Sequence, residues 1–401
     1  MGVSLNFKTL FIKVNNFMDV LIYKILFFLS LFMIFYIYAG YPVCIWLLSR
    51  ILRTRIDKAA YEPYVSILIA AYNEEKYIEQ TITNKLQLDY PTNKLEIIVV
   101  SDESTDNTDE IVERFKDKNV RLFRQNPRAG KTSALNMAIP HTKGEILVFS
   151  DANSIYATDA LKHIVANFND PKVGYVTGKM IYTNPGATTI GDGCSAYMKY
   201  ENLLRRFETQ IGSVVGVDGG IDAMRRSIHS KLNPDQLPDF VQPLKVIECG
   251  YRVVYEPNAF LEESSLSISD DEYRMRVRVT LRALNALRDM PQLLWGKAGL
   301  LFAWQLWSHK VFRYLCFVFL LVAYITNLFL WSESIFYKII LALQTTCYAG
   351  AFFSLLLERY NRKIHMLYFF HYFVLLNVAA GHAFLKFLTG AKQIVWTPRK
   401  G

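Results

Sequence analysis

Two blocks of apolar residues, one near each end of the chain, decide what kind of fold is open to it. Residues 18–48 are almost continuously apolar, interrupted by Asp19, Lys24 and a Gly40-Tyr41-Pro42 step. A helix of that length crosses the roughly 30 Å of hydrocarbon in a bilayer. The run exceeds the apolar region of a signal peptide, and no small-residue cleavage site follows it. Arg50, Arg53, Arg55 and Lys58 come immediately after, so the positive-inside rule puts the next segment in the cytoplasm and the N-terminus outside.

The second block starts near Pro291. Residues 292–309 mix Trp295, Trp304 and Trp307 with Lys297 and His309, which suits a helix lying in the membrane interface. Spans are expected over residues 311–331 and 335–357. The turn between them, Ser332-Glu333-Ser334, carries no cation, whereas residues 358–365 hold Arg359, Arg362 and Lys363, so the first turn is expected outside and the second inside. Residues 365–388 are apolar but contain His371, Asn377, Gly381, His382 and Lys386. That pattern leaves open a crossing, a re-entrant segment and the lining of a protein-enclosed path.

The expected division is therefore an N-terminal transmembrane helix and basic segment over residues 1–58 and a soluble domain over 59–290. An interfacial amphipathic helix over 291–310, C-terminal transmembrane helices over 311–390 and a tail over 391–401 follow. The formal net charge of +9 resides largely in cations that flank apolar helices. The soluble part has no clustered basic face with interleaved aromatics, so the lipid bilayer and not nucleic acid is the expected partner. Cys44, Cys194, Cys249, Cys316 and Cys347 are scattered without CxxC or Cys/His spacing, which speaks against a disulfide framework and a zinc site.

Between residues 64 and 266 short β-branched runs alternate with longer amphipathic stretches, the pattern of an α/β domain on a mixed, mostly parallel sheet. Strands are expected at 65–72, 95–102, 120–125 and 145–151, with helices over 74–88, 109–115 and 131–139. Acidic and polar clusters fall at the carboxyl ends of these strands, where open α/β sheets bind ligands. The Ala129-Gly130-Lys131-Thr132 run is not a phosphate-binding P-loop, because Gln125 stands where that motif needs its first glycine. The first strand-to-helix turn lacks GxGxxG, which disfavours a dinucleotide-binding dehydrogenase.

Sugar transfer from a nucleoside diphosphate needs a clamp for base and ribose, a cation against the departing diphosphate, and a carboxylate to take the acceptor proton. Asp102 ends a strand and is a candidate for the base or ribose. Asp151 and Asn153 end another and offer oxygen ligands on alternate positions, suited to Mg²⁺ or Mn²⁺. Asp239, in Leu237-Pro238-Asp239-Phe240, precedes an apolar run in which a carboxylate can serve as base.

In order along the chain stand VSILIAAYNEE, EIIVVSDESTDNT, NPRAGKTSALN, GEILVFSDAN, GVDGG with Arg225 and Arg226, LPDF, GYRVVYEP and RMRVRVTLRAL. This ordered set resembles the family-2 glycosyltransferases, inverting enzymes of GT-A fold that include cellulose, chitin and hyaluronan synthases. The resemblance covers residues 65 to about 288. It implies a UDP-sugar donor, a glycan or lipid-linked acceptor, Mg²⁺ or Mn²⁺, and partner subunits of polysaccharide synthesis. It further implies that Tyr72, Glu74 and Asp102 surround the nucleotide, Lys131 and Asn136 the ribose and phosphates, Asp151 and Asn153 the metal, and that Asp239 is the general base. Arg278 would contact the diphosphate, with Arg276 and Arg282 as neighbouring alternatives. Trp396 and Arg399 resemble a cytosolic Trp/Thr/Arg segment that closes over the site, a candidate gating element that would place the C-terminus in the cytosol.

The chain departs from the family at three places. Ser101-Asp102 replaces an acidic pair, Asn153 replaces a metal-binding Asp, and QxxRW has become Met275-Arg276-Val277-Arg278-Val279. The last change bears on holding a polymer more than on sugar transfer.

Each group also has a plain structural reading. Asp102 with Asp106 can form an Asx turn and Asp151 with Asn153 a helix cap. The arginines of 274–288 can be a cationic face near headgroups. The expected function is membrane-bound transfer to a growing polysaccharide, possible export included. Its rivals are single-sugar transfer to a polyprenyl phosphate or other lipid, and a non-catalytic nucleotide-binding subunit.

Overall fold

A computed structural model describes residues 7–183, 189–263, 269–360 and 367–394. The chain begins with α1 (Phe7–Phe35), a π-helical turn (Tyr36–Gly40) and α2 (Tyr41–Ile51). The expected interruption at Gly40-Tyr41-Pro42 is no break. The wider π turn carries the helix past Pro42, which has no N–H to give, and Tyr41 N bonds Tyr36 O across it.

The soluble domain follows as β1 (Val65–Ala71), α3 (Ile78–Leu86), β2 (Leu95–Asp102), α4 (Thr108–Glu113), β3 (Val120–Gln125), α5 (Lys131–Ala138), β4 (Ile146–Asp151), β5 (Ile155–Tyr156) and α6 (Ala160–Ala166). It continues through β6 (Val173–Tyr182), α7 (Thr189–Ile211), β7 (Ile221–Arg225), α8 (Pro238–Glu248), β8 (Arg252–Glu263) and α9 (Ser269–Asp289). One eight-stranded sheet runs in the order β3-β2-β1-β4-β7-β6-β8-β5. The first four strands are parallel, β7 is antiparallel to β4 and β6, and β6 is parallel to β8.

Strand alternation divides the core in two. Ile67, Ile69, Ile97, Val99, Ile146 and Val148 face a layer closed by α3, α4 and α6. Leu68, Ile98, Val100, Leu147 and Phe149 face a layer closed by α5, α8 and α9. Strands buried on both faces explain why these segments read as unbroken apolar runs. The carboxyl ends of β1, β2, β3 and β4 lie along one edge, with Ala70 paired to Asp151, Ala71 to Ser101 and Asp102 to Gln125.

The C-terminal region comprises α10 (Pro291–Leu294), α11 (Leu300–Leu306), a π turn, α12 (Phe312–Tyr314), α13 (Cys316–Phe329), α14 (Ile335–Arg359) and α15 (Tyr368–Leu388). Among the described residues, Met18–Ile51, Ile335–Glu358 and Tyr368–Leu388 are long and apolar enough to cross a membrane. Leu300–Tyr314 with Cys316–Phe329, bent by 56°, would make a fourth. The helix expected at 292–309 thus starts at Leu300 and continues to Tyr314, and the break falls at Leu315 instead of residue 311.

α15 runs parallel to α9 along its whole length. His371 meets Ser269 at 3.0 Å, Ala379 and Ala383 pack on Val277 and Leu281, and Asn285 bonds the Ala391 carbonyl at 3.2 Å. Both ends of α15 therefore lie against the soluble domain. On the opposite side, Lys24 pairs with Glu333 at 2.7 Å, and α1 packs on α13 through Phe27, Ala323 and Leu330.

Candidate functional site

β1 and β4 lie side by side although β2 and β3 continue on the far side of β1, so the strand order reverses between them. At such a point the loops leaving the strands part and open a crevice. Asp151 ends β4 at this crevice, Lys131 opens α5, and Asp239 lies in the first turn of α8. The Lys131 ammonium is 2.8 Å from Asp151 Oδ1 and 3.5 Å from each Asp239 oxygen. Burial pulls a lysine pKa down, but Asp151 and Asp239 outweigh it and hold Lys131 above its usual range. Burial, with Asp151 adding repulsion, raises Asp239 above the ordinary carboxylate range against the pull of Lys131. The raised proton affinity suits a general base that is still a quarter exposed.

Two loops press on this cluster. Gly219 has φ +87°, and a Cβ there would lie 2.7 Å from the Asp239 carboxylate, so only glycine serves. Arg282 of α9 donates to the Pro234, Asp235 and Gln236 carbonyls and to Thr132 Oγ1, which fixes the turn entering α8. Burial, followed by the neighbouring Arg278, lowers its guanidinium to about 10. Beneath Asp239, Asp222 accepts from Tyr175 Oη at 2.9 Å and from Gly219 N at 3.1 Å. Burial and then the Asp239 charge raise Asp222 to about 7.

The turn before α5 wraps a carboxylate. Ala129 N and Gly130 N donate to Asp102, Gln125 joins them, and Arg128 N donates to Glu103. Successive amides of such a turn form an anion-binding nest, here filled by the protein's own acids, and Asp102 is fully buried. The Arg128 guanidinium lies 3.4 Å from the centroid of the Tyr72 ring. Glu74 N bonds Thr108 Oγ1 at 2.8 Å, which joins the β1 and β2 turns. The Asx-turn reading holds for Asp106, whose Oδ1 accepts from Thr108 N at 3.0 Å.

Of the other expected site residues, Asn136 lines a cavity with Thr132, His229 and Asp239. Asn136 exchanges hydrogen bonds with the Leu232 backbone at 2.7 and 3.2 Å. Arg276 faces α15, where it binds Tyr372 Oη at 2.8 Å, and pairs with Glu272 of its own helix at 2.7 Å, because six residues along α9 turn its side chain away from Arg282. Trp396 and Arg399 lie outside the described residues. The chain leading to them returns to the site: Lys392 pairs with Asp235, and a Cβ at Gly130 would lie 2.8 Å from Ile394 O. The sequence reading missed Asp222, whose signal was an acid alone among apolar residues in the strand Ile221-Asp222-Ala223-Met224. It also gave no role to Glu263, whose Oε1 accepts from the Asn153 amide at 3.3 Å.

Asp151 and Asn153 fit a hard divalent cation in donor chemistry. A cationic group, the Lys131 ammonium, already sits at Asp151, and that carboxylate is 36% exposed. Asn153 turns its N–H₂ to Glu263, which leaves its carbonyl oxygen as the ligand atom. α3 holds this loop through Thr81 to Ala152 O at 2.7 Å and Lys85 to Ser154 O at 2.6 Å. Among the described residues no group of three or more His, Cys, Asp or Glu surrounds one point.

Residues 66–233 match Glycosyl transferase family 2. The probable glycosyltransferase YdaM of Bacillus subtilis is 31% identical over 231 residues, 54% of this chain and 54% of that protein. Poly-beta-1,6-N-acetyl-D-glucosamine synthase of Staphylococcus aureus is 31% identical over 201 residues, 49% of this chain and 48% of the relative. Beta-monoglucosyldiacylglycerol synthase of Nostoc is 33% identical over 168 residues, 41% of this chain and 36% of the relative. The chain thus spans about half the length, or less, of these relatives. A mannosyltransferase of Pyrobaculum calidifontis, solved with GDP-Man and Mn²⁺, shares the fold with a TM-score of 0.71 at 24% identity, over 90% of this chain and 99% of its own.

Proposed function

Because residues 66–233 form a glycosyl transferase family 2 domain, we propose that the protein transfers a sugar, with inversion, from a UDP-sugar to an acceptor hydroxyl at the cytoplasmic face of the membrane. The observation that carries this reading is the Lys131 ammonium between Asp151 and Asp239, at 2.8 and 3.5 Å. It sets a donor-side carboxylate and a base that is only a quarter exposed at one point of a crevice. Asp239 takes the proton of the acceptor hydroxyl as that oxygen bonds the anomeric carbon, and the bond to the diphosphate breaks on the opposite side. Lys131 and Arg278 are cations for the departing charge. A divalent ion held by Asp151 and Asn153 would add Lewis-acid stabilisation of the diphosphate.

The acceptor we favour is a growing polysaccharide, as the name of the Staphylococcus relative suggests. The missing Gln and Trp around Arg278 and the glycolipid synthase among the relatives favour a second reading, transfer of one sugar to a lipid. The return of the chain to Gly130 supports a part for residues 391–394 at the mouth of the donor site.

The test is UDP release by the detergent-purified full chain over a panel of UDP-sugars, with product sizing. Asp239→Asn is expected to slow release by about 10²- to 10⁴-fold, and a chelator to abolish it until Mn²⁺ or Mg²⁺ is restored. Wild-type protein that binds UDP yet releases none from any donor would sink the reading, and product length decides between the two acceptors.

A further inference from the structure

α7 presents Glu201, Arg205 and Glu208 one turn apart on a single face, and all three are buried. The outer two point toward the apolar helices. Glu208 accepts from Tyr41 Oη of α2 and contacts His309 Nδ1 at 2.6 Å. Glu201 binds Arg313, lies 3.3 Å from His309 Nε2 and 3.8 Å from Lys310 Nζ. These contacts join α7 to α2 and to the segment between α11 and α13.

The middle residue points the other way along the fold. Arg205 Nε donates to Gly216 O at 3.0 Å, and its NH1 pairs with Asp218 Oδ1 at 2.6 Å. Asp218 is in turn bonded by Met180 N at 3.3 Å and donates its N–H to Thr177 Oγ1 at 3.2 Å. The next residue is Gly219, whose Cα approaches the Asp239 carboxylate so closely that no side chain fits between them. One planar guanidinium therefore hydrogen-bonds the backbone of the segment that backs the base and the Asn202 side chain, while its charge faces the Asp218 carboxylate. A lysine, with its single point charge, cannot reproduce that two-pronged grip.

We propose that Arg205 is a positioning residue for the proton-accepting carboxylate of Asp239, acting through Asp218 and Gly219, with Glu201 and Glu208 anchoring it to the membrane-facing helices. This rests on the reading of Asp239 as the base. A buried ion pair by itself adds little stability over an apolar pair of the same shape. Its place behind Gly219 is what gives it a role in orientation.

The experiment compares Arg205→Gln and Arg205→Lys with wild type and Asp239→Asn in the full chain, read by kcat, donor KM, UDP affinity and the pH profile of kcat. Arg205→Gln is expected to lower kcat about tenfold to a hundredfold, the effect of roughly 1 Å misplacement of a catalytic group. UDP affinity should hold within about twofold, and the acid limb of the profile should move. Placed in Asp239→Asn, the same change should alter the residual rate by less than about twofold, since coupled residues are not additive. Arg205→Lys keeps the charge should the Gln variant fail to fold, with an expected loss of about threefold to tenfold. Unchanged kcat in a folded variant, a loss of rate matched by lost UDP-binding capacity, or a fully additive loss in Asp239→Asn would overturn the proposal. An Asp239→Asn protein as active as wild type would instead remove the base assignment itself.

Discussion

At the scale of single residues the site is a balance of buried charges, and its pH response follows from them. Asp222 is fully buried and raised to about 7 by burial and by Asp239, whereas an unfolded aspartate titrates near about 3.9. The folded state then binds the proton more tightly. Its contribution to stability is complete below about pH 4 and is lost as pH rises through about 7. Asp222→Asn, which keeps an acceptor for Tyr175 and Gly219, should flatten that loss, and melting temperatures at pH 5 and pH 8 measure it. An unchanged difference between the two would show that Asp222 is not its source. The raised affinity of Asp239 places the acid limb of activity above the ordinary carboxylate range in the same series. Sequence put Asp151 and Asn153 at a strand end and Asp239 on a loop before an apolar run, where the structure has it in the first turn of α8. It could not show that Asp102 is enclosed by the turn before α5 or that Arg276 faces α15. Both facts depend on which side of a strand or helix meets which neighbour.

Among the elements, the strands were the most legible. β1, β2 and β4 are buried on both faces and so spell their limits in apolar residues, while α3 begins four residues after the expected start because residues 74–77 form a turn tied to Thr108 and Asp106. The last apolar stretch was not legible, since a helix covered by α9 on one side and by α13 and α14 on others has the composition of a span. Its C-terminal extension is expected to act on the donor site. Lys392→Glu would set like charges against Asp235 and release residues 391–394 from the mouth near Gly130. The expected outcome is a rise in donor KM of about threefold to tenfold, the range of an ion pair plus the ordering it imposes, with little change in chelator sensitivity. An unaltered KM would show that this stretch does not cover the donor.

At the scale of the molecule, two ends of the apolar region can be told apart. The Lys24–Glu333 pair marks the side away from the sheet, and both ends of α15 mark the near side. In the proposed topology a cysteine at Ser334 is outside and one at Lys392 is in the cytosol. A membrane-impermeant maleimide on intact cells should label Ser334→Cys and spare Lys392→Cys. Labelling of Lys392→Cys would require α15 to cross. The positive-inside pattern predicts a direction for the first crossing and for the turn at Glu333, whereas the packing of the last helix on α9 is a tertiary property.

The α1–α13 pair also works as a ruler. Tyr36 meets Ser308 and Trp304 at the near side, and Lys24 meets Glu333 at the far one. The twelve residues from Lys24 to Tyr36 rise only about 18 Å. The 14 residues of α13 rise about 21 Å, and a relaxed bilayer offers about 30 Å of hydrocarbon. The missing length lies beyond the two marks, because the apolar run continues from Met18 to Ile51, so Lys24 must reach along the helix toward water from within the span. An ammonium set that far inside an apolar run needs a countercharge, and Glu333 at 2.7 Å supplies it.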